Sequence, residues 1–356
     1  MNYLIASFSN YTILRSNQSD IIQKYREYKI KRCIWIIIPP ILLFLGTIGN
    51  CLTIIVYTKS SLKTTAMAVY LTALAVSDII ALYTGFFTEW LTIAFDSNIK
   101  NYKSIGCKIH SWFLFTSVQF SAWVITIITV ERVICVWFPF RARRVESKRY
   151  AKIVVVCLCV MLMILNSHAL YGIVYRFDIE PIFPSCAASN EDYRYFFQNI
   201  WPFIDSTVYC FVPCTLIIIG NSLILYKLKQ KIPHFPKSEL EHCDFRRNFK
   251  VARKRKSLFP LIFCLNTVFV LTTAPISIYQ VALNFTHVSD IEIHSLKYNH
   301  LFLCWTMLLM VMFLNHSINC LLYCLTGAKF RREIVLIFCN RYITSLRRHR
   351  QQNEHK

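Results

Sequence analysis

The 356-residue chain is 55% hydrophobic, with a mean hydropathy of +0.42 and a formal net charge of +21, too apolar for an ordinary soluble domain. Only seven glycines occur, and none builds a GxGxxG or GxxxxGKS/T phosphate loop, so a nucleotide-dependent enzyme has no support. Most of the fifteen cysteines, among them Cys51, Cys157, Cys159, Cys210, Cys264, Cys304 and Cys320, fall inside apolar runs and read as small core hydrophobes rather than as a disulfide scaffold.

Residues 1–32 are polar and carry two glycosylation sequons, at Asn10 and Asn17. No apolar stretch with a small-residue cleavage site precedes them, so no signal peptide is expected. Seven apolar spans come next, at about 34–57, 67–90, 109–130, 153–175, 196–226, 257–285 and 298–328. The third, Ile109 to Val130, has 22 residues without Asp, Glu, Lys or Arg. As a helix it is about 33 Å long, enough to cross a bilayer's hydrocarbon. An all-α membrane protein is predicted, a seven-helix bundle over 33–328. From Lys329, the positions Phe330, Ile334 and Ile337/Phe338 share one helical face. A short amphipathic helix is therefore expected along the membrane surface at 329–340. Cys339 closes it at a depth suited to S-palmitoylation, or it stays a free thiol. A basic tail, 341–356, ends the chain.

Charge sets the orientation. With the amino terminus outside, the inner segments hold 28 of the 40 Lys and Arg residues and seven of the 19 acids, so the whole +21 excess lies inside. Lys24, Arg26, Lys29, Lys31 and Arg32 pull the other way and are outvoted. The basic inner loops suit anionic lipid, an acidic protein partner, or both. Nucleic acid is not implied.

Ionisable and amide groups inside the spans are costly unless used. Span two carries a lone mid-membrane acid, Asp78; span three carries Ser121; span seven carries Asn315 and Asn319. One buried carboxylate ringed by hydroxyl and amide oxygens is chemically a small-cation site, with sodium as the expected ion and no other cofactor. A polar network tying helices together would look the same. Glu131-Arg132-Val133 at the inner end of span three pairs an acid with a buried arginine.

Together these residues resemble the rhodopsin-like (class A) G protein-coupled receptors over about 33–340. The resemblance rests on Asn50, Leu74 with Asp78, Cys107, Glu131-Arg132-Val133, Cys186, Pro213, Pro275 and Asn319 to Tyr323. It implies a Cys107–Cys186 disulfide over the outer mouth, and coupling roles for Glu131, Arg132, Val133, Asn319 and Tyr323. It also implies a heterotrimeric G protein as inner partner, with arrestin as a further one, and plasma-membrane placement. The chain departs from the family pattern in several places. It has no Trp at 153–175, Thr272-Thr273-Ala274 before Pro275, Cys320 in place of the span-seven proline, Asn221 for a tyrosine, and Arg255 where an acid often faces Arg132. Glu131 is then expected to be the main partner of Arg132. These substitutions are similar to those of invertebrate FMRFamide and myosuppressin receptors.

For the ligand, Leu114 stands where amine receptors place an aspartate, and Phe313 where opsins place the retinal lysine, so neither an amine nor a light sensor is implied. Leu114, Phe115, Val118 and Gln119 are expected to face the pocket. Glu89 and Asp205, among Trp90, Trp112, Tyr209, Tyr279, Gln280 and Trp305, suit a cationic, aromatic peptide through arginine–carboxylate and cation–π contacts. The same carboxylates and aromatics also suit an interfacial belt. Asp178, Glu180, Glu191 and Asp192 would steer a basic ligand inward. The expected function is a peptide receptor that performs no chemistry. A chemosensory receptor of the same fold, or a seven-span channel or transporter, are the alternatives.

Overall fold

The computed structural model describes residues 26–95, 103–176, 185–230, 243–285 and 296–339. Seven of its helices are long and apolar enough to span a membrane, one for each span read from the sequence. In chain order they are α1 (Arg26–Lys59), α2 (Ala66–Phe95), α3 (Lys103–Trp137), α4 (Lys148–Gly172), α5 (Glu191–Lys229), α6 (Cys243–Phe285) and α7 (Leu296–Thr326). A further helix, α8, covers 328–339. The sequons at Asn10 and Asn17, the acids Asp178 and Glu180, the side chain of Arg255 and the tail 341–356 lie outside the described residues.

The helices outrun their apolar cores where side chains secure the extra turns. Helix α1 begins at Arg26, inside the stretch assigned to the polar tail. There Lys31 Nζ sits 4.1 Å from the centre of the Phe302 ring, and Glu27 lies 3.9 Å from His300, both on α7. Helix α3 runs on to Trp137, whose indole N–H donates to the Leu223 carbonyl at 3.3 Å and whose ring stacks on Tyr226, both on α5. Beyond it a seven-residue helix, Pro139–Val145, opens with proline at its first position, where the missing N–H costs nothing. Ser147 then caps α4 by accepting from the Tyr150 N–H.

Of the seven, α3 is the most buried and α4 the least. Two close approaches rest on glycine. A Cβ on Gly49 would meet Cys320 Cβ at 2.9 Å, so only glycine lets α1 press on α7; one on Gly220 would meet Thr129 Cγ2 at 2.8 Å, where α5 meets α3.

Helices α2 and α5 each contain π turns, Leu82–Phe87 in α2 and both Phe196–Ile200 and Thr207–Phe211 in α5. The last has a visible cause. The Val212 N–H pairs with Thr207, five residues back, so the Val208 carbonyl would next look to residue 213. That residue is proline, which has no N–H. Trp123 of α3 supplies the donor instead, its indole N–H 3.0 Å from the Val208 oxygen.

At the Cys107 end, a two-stranded antiparallel hairpin, β1 (Ile173–Arg176) and β2 (Ser185–Ala188), pairs Tyr175 with Cys186. Cys186 is thereby carried to Cys107 at the head of α3.

Candidate functional site

Three constellations lie along α3. At the Cys107 end, the Cys107–Cys186 disulfide joins α3 to β2, with Cα atoms 5.5 Å apart. Phe115, Tyr193, Phe197 and Trp201 pack around it as a separate small core that holds the hairpin on the bundle.

In mid-bundle, Asp78 is fully buried and both its oxygens are engaged. Oδ1 accepts from Ser121 Oγ and His316 Nδ1, each at 2.8 Å, and Oδ2 accepts from Asn319 Nδ2 at 2.7 Å. Asn50 of α1 adds a bond from its Nδ2 to the His316 carbonyl at 2.9 Å. Three helices, α2, α3 and α7, therefore meet at one carboxylate, and α1 joins them through the His316 backbone. Asn315 is buried, but its amide nitrogen has no hydrogen-bond partner among the described residues.

At the other end, Arg132 makes ion pairs with Glu131 at 2.9 Å and with Glu146, beyond the short Pro139–Val145 helix, at 3.2 Å. Glu131 is the nearer and the more deeply buried of the two, and Glu146 is a second partner that the sequence did not suggest. A buried arginine whose Nη1 and Nη2 are both engaged by carboxylates tolerates a depth that a lone one would not. Val133 packs beside Gly220 of α5, and Tyr323 is buried edge-on to Tyr57.

Between the disulfide and Asp78 lies a cavity of about 60 Å³, lined by Leu114, Phe115 and Val118 of α3, Asp205 and Tyr209 of α5, Ile276, Ser277 and Gln280 of α6, and Trp305, Leu309, Met312 and Phe313 of α7. That is room for a few water molecules or one small polar group. Asp205 Oδ1 accepts from Gln119 Nε2 at 2.8 Å, and Gln119 Oε1 accepts from Asn166 Nδ2 at 2.8 Å, so α3, α4 and α5 hold the carboxylate in place. The Tyr209 hydroxyl and the Gln280 amide nitrogen are buried on its walls without a hydrogen-bond partner among the described residues.

A family model described as 7 transmembrane receptor (rhodopsin family) matches residues 49–323. The chain belongs to this receptor family. Bombesin receptor subtype-3 of Ovis aries is 25% identical over 69% of this chain and 61% of its own length; neuromedin-U receptor 2 of Homo sapiens is 27% identical over 67% and 57%. Lysophosphatidic acid receptor 6 of Gallus gallus is 28% identical over 34% of this chain and 38% of its own. The match spans less than two thirds of the bombesin and neuromedin-U receptors. The chain is thus a multi-pass membrane receptor and not an enzyme.

Within this receptor the sequence-derived pocket is partly assembled. Leu114, Phe115, Asp205, Tyr209, Gln280 and Trp305 line the cavity, and Gln119 stands behind Asp205. Glu89, Trp90 and Tyr279 are not among the lining residues. Glu89 is buried in α2, Trp90 packs on Phe87 and Phe95, and the Tyr279 hydroxyl donates to the Leu301 carbonyl at 2.8 Å. Trp112 turns to α4, donating to the Met163 carbonyl at 2.9 Å.

Besides Glu146, three functional candidates escaped the sequence. His316 sits three residues before Asn319, on the same helical face, a spacing that points it at Asp78. Asn266 of α6 accepts from Thr129 of α3 at 3.0 Å and donates to Asn221 of α5 at 2.9 Å. Phe140, on the short helix beside Arg132, is 99% exposed, and only a partner or lipid would cover such a side chain.

Proposed function

We propose that this receptor sits in the plasma membrane with its amino terminus outside, binds an extracellular peptide carrying basic and aromatic side chains, and activates a heterotrimeric G protein at its Arg132 end. The observation that carries the reading is Asp205. It is a carboxylate fixed by Gln119 in an otherwise mostly apolar cavity below the disulfide-pinned hairpin. One basic ligand side chain reaching it gains a charge-assisted hydrogen bond in a poorly solvated place, while the rest of the peptide lies against the mouth. Support also comes from the relatives named for bombesin and neuromedin U. The orientation is supported by the charge excess on the Arg132 side and by the disulfide at the opposite end, which needs an oxidising compartment.

Signalling proceeds by population shift. A ligand that binds the active bundle better than the resting one draws the ensemble toward it, α6 moves from α3 and α5, and the Arg132 end opens to the G protein. The test is a peptide library applied to cells expressing the full chain, with calcium and cyclic AMP readouts. The active peptide should lose about 10- to 100-fold in potency on Asp205→Asn, the scale of one hydrogen bond to a charged group. Response to a lysophospholipid and to no peptide would overturn the reading.

A further inference from the structure

The Asp78 constellation has the residue types of a small-cation site, and its geometry does not fit one. Sodium is a hard cation and binds through oxygen lone pairs aimed at a common point. Here the groups around Asp78 present hydrogens to it instead. Asn319 turns its amide nitrogen to Oδ2, and its own carbonyl oxygen, buried, has no hydrogen-bond partner among the described residues. Ser121 spends its hydroxyl hydrogen on Oδ1. The remaining approach to Oδ1 is filled by the His316 ring, whose Nδ1 lies 2.8 Å away and must carry the hydrogen, since the carboxylate accepts. Both His316 and Asp78 are fully buried, and the Asn50 bond to the His316 carbonyl fixes the backbone that presents the ring.

We propose that His316 occupies the place of the cation, so that this receptor binds no sodium at Asp78 and joins α7 to α2 by a direct side-chain bond. In this arrangement the carboxylate is compensated by three protein donors. Rearrangement of α7 against α2 then requires the His316–Asp78 bond to break, with no ion to expel. The expectation of sodium held by Asp78, Ser121, Asn315 and Asn319 is accordingly replaced by an imidazole held by Asp78.

The experiment is thermal unfolding of the purified full-length receptor in lipid nanodiscs, in sodium chloride against N-methyl-D-glucamine chloride at equal ionic strength. A ligand that binds only the folded state raises Tm with its concentration. The wild type should show the same Tm in both salts. His316→Ser, which removes the ring and leaves a hydroxyl oxygen, should gain a sodium-specific rise that Asp78→Asn in the same background abolishes. Should His316→Ser not fold, His316→Asn takes its place, keeping an oxygen donor in a side chain nearer the original volume. A sodium-dependent rise in the wild type that Asp78→Asn removes overturns the proposal without need of either variant. So does a folded His316 variant that stays indifferent to sodium.

Discussion

Asn266 donates its amide N–H to Asn221 at 2.9 Å, joining α6 to α5 through two neutral side chains. The same Asn266 accepts from Thr129 at 3.0 Å, so α3 enters the junction as well. Arg132, one helical turn away on α3, spends its ion pairs on Glu131 and Glu146, neither of which lies on α6. This amide pair therefore tethers α6 at the Arg132 end of the bundle, as the Tyr279 bond to the Leu301 carbonyl does at the other. Removing it leaves Asn221 without its partner, at a cost on the order of 1–3 kcal/mol to the resting arrangement. Asn266→Ala is expected to raise ligand-independent signalling, read as basal cyclic AMP change or calcium release at matched surface expression. Basal output equal to the wild type's would show that the tether does not hold the resting state.

The disulfide predicts a simple epistasis. Cys107→Ser and Cys186→Ser each break the same bond and free the hairpin that shelters the small aromatic core. Each should lose surface expression or ligand response, and the double variant should be no worse than either single one. Strongly additive losses would mean that the two thiols serve separate ends.

The features legible in the sequence divide from the rest along physical lines. The seven spans follow from hydropathy and length, which a bilayer imposes on every helix alike. Counting from Arg132 along the regular α3 singles out Leu114, Phe115, Val118 and Gln119; the first three line the cavity and Gln119 stands behind Asp205. Glu89 and Trp90 lie beyond the π turn Leu82–Phe87, which intervenes after Asp78 in α2. Each inserted residue rotates the remainder of the helix by about 100°, and nothing in the local sequence of α2 announces it. In α5 the π turn is readable in retrospect from Pro213, which frees the Val208 carbonyl, but its partner Trp123 is 85 residues away. Glu146 is missed for a related reason. It reaches Arg132 only because Pro139 starts a helix that folds the loop back.

Phe140 gives the third prediction. An almost completely exposed aromatic ring on the short helix that leads to Glu146, a partner of Arg132, is placed to anchor a partner protein, since aromatic anchors carry much of the energy of an interface. Phe140→Ala should leave ligand binding unchanged and reduce G protein activation by about tenfold, equivalent to ~1.4 kcal/mol of contact. The measurement is agonist-driven nucleotide exchange on purified G protein with the receptor in nanodiscs. Unchanged exchange rates would assign the ring to lipid.

The last prediction concerns α8. Phe330 is buried against Tyr57 and Tyr323, with ring centres 5.6 and 5.5 Å away. Arg331 Nη1 donates to the carbonyls of Cys324 and Leu325 at 2.7 and 3.0 Å, satisfying backbone acceptors that the end of α7 leaves open. Ser61, between α1 and α2, donates to Glu333 at 2.6 Å. The helix is thus fastened to the bundle at its start without any lipid. Farther along, Val335, Leu336 and Phe338 are exposed apolar side chains, and Cys339 is an exposed thiol at the last described position. Exposed apolar residues beside a membrane-spanning bundle belong in the headgroup boundary, and an acyl chain on Cys339 would hold this far half there. Cys339→Ser is expected to remove a hydroxylamine-sensitive palmitate label while the receptor stays in the membrane and keeps its Tm, because Phe330 still holds the near half. Phe330→Ala should do the opposite, costing on the order of 3 kcal/mol of stability while keeping the label. A label that survives Cys339→Ser would move the acylation site to Cys324, the half-buried thiol near the end of α7.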